Sequence, residues 1–143
     1  MLVLFLVGSA SPGLVGIHRR TRAYMPDDFT LLGRLVARAA HVTTPNVLAE
    51  TSNLIRHCDR SRLGPLIDAF RRYATLASER YVPSATAAAA PEFDRLGLND
   101  VTVLAAQERD VTLMTDDLDL YLTAATAGHK VVNFTHERER LLG

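Results

Sequence analysis

VTLMTDDLDLYLTAATAGHKVVNF, residues 111–134, passes from an apolar run to a helical stretch and back to an apolar run, and its reading decides the fold. Residues 111–115 read as a strand, residues 118–127 as a helix and residues 130–134 as a second strand, with Gly128 as the helix stop. A strand, a helix and a strand in this order imply parallel pairing through a crossover.

The same alternation extends outward. Residues 99–109 read as a helix, the alanine-rich residues 84–91 as loop or short helix, and residues 65–79 as a helix. A short strand over 41–44 precedes a helix over 45–56, with Pro45 in its first turn. Asp27 or Asp28 caps a helix over 29–39, where Leu31, Leu32, Leu35, Val36 and Ala39 recur at helical spacing. Residues 1–7 form a continuous apolar run of the buried-strand kind, joined to that helix by a long glycine-rich and then basic connection over 8–26. The pattern predicts one domain, 1–143, folded as a three-layer α/β/α sandwich around a central, mostly parallel sheet, with no internal repeat.

With 143 residues, 48% of them hydrophobic, the chain has material for one core. Residues 1–7 are too short to span a bilayer and lack the basic flank of a signal peptide, so no membrane partner and a cytoplasmic location are expected. The single cysteine, Cys58, cannot form an internal disulfide and reads as an incidental thiol. The formal charge is zero, but residues 1–80 hold 11 arginines against 6 acids and residues 81–143 hold 5 bases against 10 acids. Much of the positive half lies in HRRTR at 18–22, in 56–62 and at Arg71 and Arg72. Such clusters suit a nucleic-acid backbone, although Arg-rich helix faces are commonly just solvated surface.

Four acidic positions fall where strands give way to helices or on a helix that follows a strand. In parallel sheets, functional residues gather at the carboxyl ends of strands. Glu50, in TTPNVLAETSNL, shares a polar strip with Asn46 and Asn53 beside the apolar stripe of Val47, Leu48, Thr51, Leu54 and Ile55. It reads as a boundary glutamate or a ligand. Asp100, in LGLNDVTVLAAQ, opens an apolar helix and reads as a cap, with Asn99 as the other candidate, or as a ligand. Asp116 and Asp117 follow the strand VTLMT, and two adjacent acids exceed what a cap requires. Several converging oxygen ligands are what Mg²⁺ or Mn²⁺ needs.

TTPNVLAETSNL, GLNDVTVLAAQ, LMTDDLDLYLTAATAG and VVNF, in that order and spacing, resemble the PIN domain family of metal-dependent nucleases over nearly the whole chain. The resemblance implies Glu50, Asp100 and Asp117 as catalytic, metal-binding carboxylates, with Asp116 as a neighbour that substitutes if the turn shifts by one residue. Thr115 and Asn46 would support the site. It implies hydrolysis of RNA phosphodiester bonds with Mg²⁺ or Mn²⁺, Arg19, Arg20 and Arg22 gripping the backbone, and an antitoxin protein and a second copy of the chain as partners. Family members carry a first aspartate in strand one, and here no acid precedes Asp27. The resemblance therefore implies a start truncated at an internal methionine, or else a domain that has lost the ligand and binds RNA or a protein without cutting.

Other motifs are excluded. GSASPGLV has the glycine spacing of a phosphate loop but continues with Leu14 and Val15 where Lys and Ser or Thr are required, and no GxGxxG follows a strand. Ser9 and Ser11 lack a nucleophile elbow. His18, His41, His57, His129 and His136 do not pair at metal-ligand spacing and read as structural or surface residues. Tyr24, Phe29 and Phe93 read as packing residues.

Overall fold

Residues 1–7 form a helix, not a strand. The computed structural model describes all of residues 1–143 and places an α-helix, α1, at Leu2–Ala10. A short apolar run without periodicity is equally a buried strand or a buried helix, and leucine at positions 2, 4 and 6 favours the helix. The contacts gather into two compact units, residues 1–41 with 48–78 and residues 42–47 with 79–143.

In the first unit α1 is apolar on every side until Ser9, so it must be covered all round. It packs against a 3-10 turn at Pro12–Leu14, against α2 (Pro26–Val36) and against α4 (Arg60–Leu76). Leu4, Leu6 and Val7 are buried, and Leu31, Leu32, Leu66 and Ala69 complete the core around them. Gly8 faces the ring of Phe29 so closely that a Cβ there would fall inside it.

Helix α2 begins three residues before the expected position 29. Pro26 occupies its first turn, and the Asp28 carboxylate reaches back to accept from the Met25 N–H at 2.7 Å. Asp28 thus closes the helix start from inside the first turn. Helix α4 also starts earlier than expected and carries Pro65 in its interior. The missing N–H there forfeits one helical hydrogen bond, which burial of Leu66 and Ala69 on the following turn outweighs. Phe5, His41 and Tyr73 form an aromatic cluster with centroid separations of 5.4 to 6.1 Å, in which Phe5 meets the other two rings edge to face. Burial pushes the Tyr73 phenol above its ordinary pKa.

Helix α3 (Pro45–Leu54) follows β1 (Val42–Thr43), and the buried Thr44 hydroxyl accepts from the Val47 N–H at 3.2 Å to cap it. Strand β1 pairs with β2 (Ser78–Glu79) in a two-stranded sheet. In the second unit Arg80 N–H donates to the Thr43 carbonyl at 2.8 Å. The Arg80 guanidinium donates to the Ala106 carbonyl at 3.0 Å and pairs with Glu108 at 2.8 Å.

The alanine-rich stretch is a short helix, α5 (Ser84–Ala88), packed on α6 (Phe93–Ala105). Helix α6 joins two helical segments across a break at Gly97, whose φ of 79° suits glycine; the second segment begins beside the expected position 99, and the first, from Phe93, was not foreseen. Strands β3 (Thr112–Thr115) and β4 (Lys130–Asn133) pair in parallel around α7 (Leu118–Thr126), as the decisive stretch implies. Gly128 ends α7 with a φ of 81°. A further helix, α8 (Phe134–Leu142), was not foreseen, because its charged sequence buries only Phe134. The chain is a mixed α/β protein with a small sheet content of two strand pairs. No helix is long and apolar enough to cross a membrane.

Two outcomes follow from the first unit. Gly8→Ala gains roughly 1 kcal/mol of helix propensity but collides with Phe29, and overpacking costs about 1–3 kcal/mol. A net loss is expected in urea unfolding, and Phe29→Leu in the same background should cost less than its effect alone, a coupling that independent sites would not show. The raised Tyr73 pKa means that the folded state disfavours the phenolate. Stability is intact below the ordinary tyrosine value of 10.0 and falls as pH rises through the window up to the folded value. That fall should be shallower in Tyr73→Phe; equal slopes above about pH 10 would contradict the assignment.

Candidate functional site

The carboxyl ends of β3 and β4 lie side by side, with Thr115 opposite Asn133 in register. Both residues are buried, at 7% and 4% exposure, although both are polar. Their side chains explain the cost they avoid. The Thr115 Oγ1 accepts from the Asp117 N–H at 3.0 Å, and Asn133 Oδ1 accepts from the His136 N–H at 3.2 Å. Each strand therefore turns directly into a capped helix, α7 from one and α8 from the other. Two helix N-termini, each with partial positive charge, begin at one edge of the strand pair.

Asp117 is the N-cap of α7: its Oδ1 accepts from the Leu120 N–H at 2.9 Å. One oxygen thus serves the helix, and a carboxylate retains further lone pairs for a cation. Asp116 stands beside it, exposed. Asp100 is half-buried in the first turn of the helical segment that follows the break at Gly97, where the sequence places it. Asp119, in the first turn of α7, is taken by an ion pair with Arg95, which also donates to Thr123 Oγ1 at 2.8 Å. Asn46 is half-buried in the first turn of α3 and belongs to the second unit, whereas Glu50 is exposed further along that helix and belongs to the first. The structure joins Thr115 to Asp117 directly. No group of three or more His, Cys, Asp or Glu side chains converges as a metal site.

The donor chemistry nonetheless suits Mg²⁺ or Mn²⁺, since Asp100, Asp116 and Asp117 offer hard oxygens and the second unit carries 6 bases against 11 acids. Asn133 is the site residue that sequence reasoning passed over. Its signal was an Asn at the end of a β-branched run, a position suited to capping a following helix.

The basic stretch at 18–22 lies in the first unit, which carries 10 arginines against 5 acids. His18 and Thr21 are buried, at 3% and 1% exposure. His18 Nε2 donates to the Ile55 carbonyl at 3.0 Å and its Nδ1 accepts from the Arg20 N–H at 3.2 Å, so both ring nitrogens are engaged. Thr21 Oγ1 donates to the Val15 carbonyl at 2.7 Å. These two anchors leave Arg19, Arg20 and Arg22 exposed to solvent.

Compared with protein-family models, curated proteins and solved structures, the chain matches none. The functional reading therefore rests on the residues themselves.

The double use of Asp117 gives a separable outcome. Asp117→Ala removes the cap and should lower stability by about 1 kcal/mol, whereas Asp117→Asn keeps an acceptor at the same place and should stay near the parent. Denaturant midpoints of the two variants check this; equal losses would mean that the cap contributes little.

Proposed function

We propose that this chain is a PIN-type metal-dependent endoribonuclease, with Asp100, Asp117 and Glu50 as metal-binding carboxylates and a three-layer sandwich as the wider architecture. The observation that carries the reading is the turn after β3, where the buried Thr115 holds the Asp117 backbone at the carboxyl end of a parallel strand pair. Asp116 is the neighbouring acid, Asn46 supports the site, and an antitoxin protein and a second copy of the chain belong to the same reading as partners.

When bound, Mg²⁺ or Mn²⁺ supplies Lewis-acid activation of water and neutralises charge at the phosphate. The chain's own residues have simpler tasks. Thr115 fixes the turn, Asp117 and Asp100 present oxygens, and Arg19, Arg20 and Arg22 attract the RNA backbone electrostatically.

A second reading, an RNA-binding module without cleavage, is favoured by the commitment of Asp117 Oδ1 to its helix and by the lack of a converged trio of acids. Calorimetric titration of Mn²⁺ into the chain and its Asp100→Asn variant, followed by incubation with labelled RNA, separates the two. The nuclease reading expects Mn²⁺ binding and Mn²⁺-dependent cleavage, both lost in the variant. RNA binding without either would establish the module instead.

A further inference from the structure

A cavity of about 110 Å³ opens within the first unit, between the start of the basic loop and the segment that leads into α4. Its floor is apolar, formed in part by Leu14 and the fully buried Leu66, and its polar wall carries Arg19, His57 and Arg62. Neither arginine is held in an ion pair. Two arginines from segments more than forty positions apart thus line one small cavity.

We propose that this cavity is a binding site for a tetrahedral phosphate group, held by Arg19 and Arg62. Planar guanidinium forks suit phosphate oxygens, and the volume accommodates one such group. The remaining wall residues are compatible with an anion. His18 already uses both ring nitrogens, one to Ile55 and one from Arg20, so it forms a wall and not a ligand. The Cys58 thiol donates to the same Ile55 carbonyl at 3.5 Å, and burial, followed by the charge of Asp59, raises its pKa, so it adds no negative charge. Asp59 is the single acidic side chain on the lining; it is exposed, and two arginines outweigh it. The seventeen-residue helix α4 begins at Arg60 and adds positive potential, but the cavity and its arginines carry the assignment. The site lies in the first unit and stands whether or not the chain cuts RNA.

The test is an NMR titration of the isotopically labelled full chain with inorganic phosphate at constant ionic strength, following the arginine Nε–H resonances, with chloride as control. Saturable shifts confined to Arg19 and Arg62 are expected, and Arg62→Gln should weaken binding about tenfold, while Arg34→Gln on α2 should bind like the parent. Arg19→Gln, at an exposed position, serves as the second variant if Arg62→Gln disturbs the amide spectrum. Shifts spread evenly over all arginines, no saturation, or unchanged affinity in both cavity variants would overturn the proposal. Two further arms identify the source of the phosphate. A 5′-phosphorylated oligoribonucleotide that shifts the same two resonances more strongly than its 5′-hydroxyl counterpart supports an RNA terminus, and a response to inorganic phosphate alone supports a free phosphate.

Discussion

The burial of α1 is the constraint on which the first unit depends. Seven consecutive residues offer water no polar side chain, so the chain must return to cover them from several directions. Burying Leu4, Leu6 and Val7 contributes about 1.5–3 kcal/mol per side chain, against about 0–1 kcal/mol for an exposed ion pair such as Arg71 with Asp68. Packing therefore decides the course of the chain. The segment after α1 stays close because His18 and Thr21 are themselves buried and bonded. The outward display of the three arginines at 19, 20 and 22 is a consequence of those inward anchors rather than of their own interactions.

The second unit is organised differently. Its parallel strands are four residues each, too short for a ladder to dominate, and the order at their ends comes from side chains that take over where backbone pairing stops. Thr115, Asp117 and Asn133 all act on backbone N–H groups that a strand-to-helix turn would otherwise leave without a partner. Stability and the candidate chemistry therefore draw on the same residues. Asp117 is the clearest case, since the proposed metal ligand is the carboxylate whose Oδ1 is already fixed as the cap of α7.

What the sequence made legible, and what it did not, follows from which signals are local. Gly128, Pro45 and the run at 111–115 are governed by rules spanning a few residues, and the structure places a helix stop, a helix start and a strand there. Residues 1–7 defeated the same rules, because a run with no polar residue has no periodicity to read. Helix α8 was missed for the opposite reason: it is so charged that its single buried residue, Phe134, leaves no stripe. In the site, residue type and order were readable, and so was the capping role open to Asp117. The pairing of Thr115 with Asn133 across the strands, and the meeting of Arg19 with Arg62 in one cavity, depend on contacts between distant positions that no local pattern encodes.

Charge is divided between the units as it is along the sequence, with five more bases than acids in the first and five more acids than bases in the second. For a polyanion this division is consequential. The first unit carries its excess as arginines that remain protonated at any physiological pH, which is the sign a polyanion requires. The second unit repels phosphate unless a cation neutralises its carboxylates, so the residues that make it a candidate metal site make it a poor RNA surface on their own. Binding by the chain therefore need not imply cutting.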